Sequence, residues 1–167
     1  AKQFFINLQE EKDKLSNTNY ILEKIIENAP IMIFWKDKDG IYQGSNTHFL
    51  DLMNLKDKEE LIGKKDSDFN ISEKEDFMND DIFVMSNIKP KLNYIETITA
   101  KDKNIKTINT SKVPLIDDKG EVIGVLGVIN DITEQRNNQK QINLQEQLLI
   151  QQSKLASMGE MIANIAH

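Results

Sequence analysis

The sequence predicts an α+β fold: a five-stranded antiparallel sheet with helices on one face, flanked by N- and C-terminal helices of coiled-coil type. Three observations carry that expectation. Apolar residues recur at helical spacing near both ends of the chain. Between them, short runs rich in β-branched and aromatic residues are cut by the turns "DKDG", "AKDKN" and "DDKG". A helical stretch closed by Pro90 separates two early strands from three late ones, which is the segregated order of an α+β domain. The expected divisions are a linker helix at 1–29, a mixed domain at 30–133 and a second long helix at 134–167.

In the first segment Leu8, Leu15 and Leu22 stand seven apart, with Phe5 and Ile26 beside the same stripe. Lys12 and Asn19 share that seam, so it reads equally as a weak zipper or as a helix laid against the following domain. Pro30 ends it. Strands are then expected at "IMIFWKD" and "IYQG", and helical pieces at "NTHFLDLMN", "KEELIG" and "SEKEDFMNDDIFVMSNI". Ser72 and Glu75 form a capping-box pattern at the start of the last piece, and Phe77, Val84 and Ile88 make its apolar stripe. Three strands, "KLNYIETIT", "NIKTINTSKVPL" and "EVIGVLGVIN", complete the domain. The last helix opens on "DITE", where Asp131 can cap and Glu134 follows three residues on. Its seam places Leu148, Leu155 and Ile162 at one heptad position and Leu144, Met158 and Ile165 at the other. Asn137, Gln141 and Gln151 interrupt the seam.

Composition removes several classes of function. A formal net charge of −6, with no basic stripe, argues against a nucleic-acid partner. The absence of cysteine removes thiol nucleophiles, thiolate metal sites and disulfides, and it fits a reducing compartment. No apolar run approaches the ~20 residues that span a bilayer, and no signal peptide opens the chain. A soluble piece of a longer protein, without membrane contact of its own, is therefore expected. Asp66, Asp68, Asp80 and Asp81 lie in turn-like and helix-surface contexts with no histidine among them. They read as capping and solvated residues, and no metal site is expected.

Several motifs, in order, carry a family resemblance. "FWKDKDGIYQGSNTHFLDLMN", "LIGKKDSDF" and "TSKVPLIDDKGEVIGVLGVINDIT" resemble the opening, the connector and the closing hairpin of PAS domains. The tail "KLASMGEMIANIAH" is similar to the H-box of sensor histidine kinases. Together they resemble the PAS domain of a bacterial two-component sensor histidine kinase, followed by the start of its dimerisation and phosphoacceptor helix. The resemblance implies that His167 accepts a phosphoryl group, that the helices pair in a homodimer, and that a response regulator receives the phosphate. It also implies that Asp131, Ile132 and Thr133 couple sheet to helix, and that the segment is cytoplasmic, with upstream anchoring of the parent left open. The acidic, basic and proline residues that follow the histidine in the family lie beyond the end of this sequence.

The heptad frame bears on His167 independently. With Ile162 and Ile165 on the seam, His167 falls on the outer face, where a neutral imidazole can meet an incoming phosphate. No phosphate cradle accompanies it, because "GVLGVI" is G-x-x-G inside a strand. The resemblance implies that the fragment can act as an acceptor and not as a complete kinase, with ATP and Mg²⁺ bound by another domain of the parent, and no cofactor is expected here. His48 reads as a surface or partly buried polar residue rather than a haem ligand.

Phe34, Tyr42, Asn46, Phe49, Phe69, Phe83 and Tyr94 are the candidates for lining a small-molecule cavity, with Trp35 and Phe77 beside them; a plain aromatic core is the equal alternative. Asn46, Tyr42 and Tyr94 are its candidate polar anchors. A ligand-free dimerisation and relay module feeding another output domain is the rival to the sensor-kinase reading.

Overall fold

The computed structural model describes residues 1–99 and 103–166, and within them the chain falls into two units, 1–131 and 132–167. Most of the turn expected at "AKDKN", and the side chain of His167, lie outside the described residues.

The first unit opens with helix α1 (Lys2–Asn28), about 40 Å long at 1.5 Å per residue. It carries no buried residue, and Phe5, Leu8, Leu15 and Leu22 are exposed along it. Its C-terminal part, from Asn19 to Glu27, borders the domain across a groove, and Ile26 and Glu27 are hydrogen-bonded to it; the N-terminal part is exposed. β1 (Met32–Asp37) and β2 (Tyr42–Ser45) follow, then α2 (Thr47–Met53), two short 3₁₀ turns at Lys58–Glu60 and Asp66–Asp68, and α3 (Lys74–Asn87). β3 (Lys91–Thr99), β4 (Ile105–Ile116) and β5 (Val122–Asp131) complete the unit. All pairings are antiparallel in the order β2-β1-β5-β4-β3. The last strand therefore lies at the centre of the sheet.

Two turns share one mechanism. The Asp37 carboxylate accepts from the N–H groups of Asp39 and Ile41 at 2.9 and 3.0 Å, and Gly40 takes φ +76°. The Asp117 carboxylate accepts from Lys119 and Glu121 at 2.9 Å each, with Gly120 at φ +81°. The D-x-x-G spelling supplies both needs, an Asx acceptor at the start and a residue free to be left-handed at the end.

Strand parity builds the core. Met32, Phe34 and Lys36 of β1 face inward, as do Ile108, Thr110 and Lys112 of β4. Phe34, Tyr42, Phe49, Leu50, Leu61, Ile98, Ile108 and Ile129 form the buried cluster, with Leu52, Met53, Phe69 and Phe77 packed against it. Gly127 of β5 is required by its neighbour: a Cβ there meets the Phe34 ring.

Helix α3 departs from expectation at both ends. It begins at Lys74 with Glu73 as N-cap and no side-chain capping bond, so the Ser72–Glu75 box does not form. The Glu73 carboxylate instead accepts from the N–H and hydroxyl of Thr99, both at 3.0 Å, which ties the helix start to β3. At the other end Ile88 leaves the helix at φ +48° and is exposed. The inward stripe is Phe77, Asp81 and Val84, at i, i+4 and i+7.

The second unit is α4 (Thr133–Ala166), about 51 Å of continuous helix with no buried residue. Leu144, Leu148, Leu155, Met158, Ile162 and Ile165 are all exposed on it. No helix among the described residues is long and apolar enough to cross a membrane.

Candidate functional site

The inner face of the sheet, α2 and α3 enclose a cavity of about 30 Å³, room for roughly two waters. Phe34, Phe49, Phe77, Ile98 and Ile108 make most of its apolar wall. Its polar wall is Lys36, Tyr42, Asp66, Glu96, Thr110 and Lys112.

Four of the charged groups beside the cavity form one buried network. Lys36 is 2 % exposed, and its ammonium group bonds to Asp66 and, at 2.6 Å, to Asp81. Lys112, also 2 % exposed, donates to the other Asp81 oxygen at 2.5 Å and to the Phe77 carbonyl at 3.0 Å. Asp81 thus bridges two lysines from strands on either side of β5, one per carboxylate oxygen. The Tyr42 hydroxyl donates to Asp66 at 2.6 Å. Burial raises the Tyr42 pKa well above the ordinary phenol range, with the Asp66 charge and its hydrogen bond adding to the effect, so the phenol stays a donor. Two ammonium groups against two carboxylates leave this network neutral, the condition for keeping charges out of water.

Glu96, on β3, adds a second carboxyl to the wall. Burial raises its pKa, the Thr110 hydroxyl and the Lys112 charge pull it back, and Asp80 pushes it up again. Thr110 is 1 % exposed, and its hydroxyl, though turned toward Glu96, has no hydrogen-bond partner of normal geometry.

Among the candidate cavity residues, Phe34, Tyr42 and Phe49 come together in the wall, their ring centroids 4.8 to 5.8 Å apart. Phe69 stands behind, edge-on to Tyr42 at 6.1 Å, and is not part of the wall. Phe83 lies on the outer side of α3, 49 % exposed. Tyr94 is half-buried on β3 outside the cavity, under the Lys91 ammonium group at 4.0 Å; burial, then the charges of Glu96 and Asp80, push its pKa up. Trp35 takes the opposite strand parity and faces Gly44 and an open groove beside the end of α1. His48 is exposed.

Asn46 is a clamp rather than a cavity anchor. Fully buried, it accepts from the N–H groups of Ile33 and Phe49 and donates to the carbonyls of Ile26 and Ile31. One side chain therefore joins the end of α1, the start of β1 and the N-terminus of α2. Glu27 adds bonds to the Thr47 N–H and hydroxyl and a 3.4 Å pair with Lys58. At the far end, Asp131 closes β5 and pairs with Lys106 at 3.3 Å; Ile132 links it to Thr133, the first residue of α4.

Reading Asp66 and Asp81 as capping and solvated residues is corrected by this geometry: both are buried counter-ions. The available signal was parity, since a strand that turns Met32 and Phe34 inward must turn Lys36 inward too. Two inward lysines require buried acids, and Asp81 shares its helix face with Phe77 and Val84. Among the described residues no cluster of three or more His, Cys, Asp or Glu could hold a metal ion.

A family model described as PAS fold matches residues 26–137, and the chain belongs to that family. A curated relative, "Probable histidine kinase 1" of Oryza sativa subsp. indica, is 26 % identical over 161 residues, which cover 92 % of this chain and 16 % of that protein. The chain thus spans about a sixth of that relative's length. Similar solved structures include the PAS domain of BvgS from Bordetella pertussis, with TM-score 0.59, 19 % identity, and coverage of 79 % of this chain and 98 % of that one. A PAS domain from Colwellia psychrerythraea has TM-score 0.58, 21 % identity, and coverage of 70 % and 98 %. VqmA of Vibrio cholerae, solved as a ligand–DNA complex, has TM-score 0.61, 19 % identity, and coverage of 66 % of this chain and 50 % of that one. These likenesses bear on the fold alone.

Proposed function

We propose that this chain is the input segment of a two-component sensor histidine kinase. The PAS domain senses a small molecule or partner at its internal cavity, and α4 carries the change to His167, the phosphoacceptor. The observation that carries the reading is one of continuity. The central strand β5 runs through Asp131-Ile132-Thr133 into a 34-residue helix, and that helix leads into "GEMIANIAH". The 26 % identity to a probable histidine kinase over 92 % of the chain supports the same assignment. Two copies pair along the exposed seam of α4, and a response regulator takes the phosphoryl group from His167. ATP and Mg²⁺ come from a separate catalytic domain of the parent, which performs the in-line transfer while the imidazole nitrogen acts as nucleophile.

The test is ATP-dependent labelling of the full-length parent beside its His167→Gln variant. Acid-labile phosphate on the wild type and none on the variant is the expected result; equal labelling of both sinks the proposal. A second reading, a ligand-free relay module, draws support from the small volume of the cavity. It predicts that mass spectrometry of material released by denaturation finds no co-purified molecule.

A further inference from the structure

Lys36 and Lys112 are spoken for by Asp66 and Asp81, yet the cavity wall holds a further carboxyl, Glu96. The groups facing Glu96 are Asp80 from α3, Lys91 from β3, and Lys112 and Thr110 from β4. Lys91 is itself paired with Asp80 at 2.6 Å. Counting this neighbourhood whole, Asp66, Asp80, Asp81 and Glu96 face Lys36, Lys91 and Lys112, which leaves one carboxylate in excess. The buried Thr110 hydroxyl, turned toward Glu96, completes no hydrogen bond of normal geometry. A buried polar group bonded so incompletely costs free energy until something enters to bond it.

We propose that the cavity takes a compact cation, ammonium or a one-carbon primary amine, held by the Glu96 carboxylate and the Thr110 hydroxyl. This rests on the reading of the cavity as the input site and gives that site its ligand class. A volume of about 30 Å³ suits one or two heavy atoms. The N–H groups of the ligand are donors, matching the acceptors left over at Glu96 and Thr110, and its positive charge cancels the excess. Phe34, Phe49 and Phe77 line the rest, and ring faces attract a desolvated cation. An anion of the same size meets the opposite conditions. It must stand against Glu96 and Asp66, and it gains a lysine only by stripping that lysine from a buried aspartate.

The discriminating experiment is an NMR titration of the 167-residue chain with methylammonium chloride, beside sodium formate and methanol at matched ionic strength. Saturable shifts at Thr110, Ile108 and Ile98 are expected with methylammonium and not with formate. Glu96→Gln keeps the size of the side chain and should weaken methylammonium binding about ten-fold or more, the loss of one charge-assisted hydrogen bond. Thr110→Ser keeps the hydroxyl and should retain binding. Formate shifts equal to those of methylammonium, no methylammonium shifts at all, or a response unchanged in Glu96→Gln would each overturn the proposal. Labelling of His167 in the parent separates the two levels. Binding without any change in labelling removes the signalling reading and leaves the cation site standing. Labelling that answers to another solute, with no methylammonium shifts, removes the cation site alone.

Discussion

Asp81→Ala leaves the ammonium groups of Lys36 and Lys112 buried and short of a counter-ion, and breaking a buried pair in this way costs about 3–5 kcal/mol. Chemical denaturation should show a lower midpoint for that variant, while exposed Asp118→Ala should stay within about 0.5 kcal/mol of the parent. Asn46→Ala strips partners from two N–H groups and two carbonyls at once. Each buried polar group so orphaned costs about 1–3 kcal/mol, so a loss above about 2 kcal/mol is expected even if water repairs some of them. These two sites also measure how far the sequence speaks at this scale. Phe34, Tyr42 and Phe49 reach the cavity as aromatic pattern suggests. Asp66 and Asp81 escape a reading by local context, because their partners are 30 to 45 residues away in sequence. Phe83 misleads because an aromatic in a helix does not announce its face; the i, i+4, i+7 relation of Phe77, Asp81 and Val84 turns it outward.

At the scale of the element, α4 exposes a seam that nothing in its own unit covers. Paired with a second copy, that seam buries Leu148, Leu155 and Ile162 in one layer and Leu144, Met158 and Ile165 in the other. Leu155→Asp should therefore convert a dimer to a monomer in light scattering at micromolar concentration; a wild-type chain that is already monomeric there removes the pairing. Gln151 interrupts the seam, and a polar residue there lowers the stability of the paired helices. Gln151→Leu should stiffen the pair and lock labelling of His167 in one state, whereas an unaltered response to signal in that variant counts against register change as the output. Element boundaries were legible wherever punctuation was strong. D-x-x-G closes the β1–β2 and β4–β5 turns, Pro30 follows α1, and Pro90 precedes β3. The start of α3 was not, because Glu73 is used by Thr99 across the fold, and a tertiary bond displaced the local capping box.

Over the whole molecule, stability carries the mark of Glu96. Its carboxyl is raised by burial, so the native chain holds a proton in a range where the unfolded chain has lost it. Its contribution is full below the ordinary carboxylate range and is lost as pH rises through the raised value. Thermal unfolding of wild type and Glu96→Gln should coincide in acid, and the variant should pull ahead toward neutral pH. Parallel curves would remove Glu96 as the cause. The five-stranded antiparallel sheet was readable from the succession of strand, helix and strand runs. Which strand becomes the centre was not readable, because it depends on β1 returning to pair with β5, a contact made across about ninety residues.

That central place gives β5 the character of an adding point. On one side it is laddered to β1, whose start is pinned by Asn46 to the end of α1; on the other it is laddered to β4, which carries Thr110 against the cavity. Asp81 ties the two flanking strands together from above. A pull arriving through α1 and a load placed in the cavity thus converge on the same ten residues before the chain leaves the sheet. Under the sensor function proposed above, what reaches α4 would combine the two, and either input would then be able to mask the other.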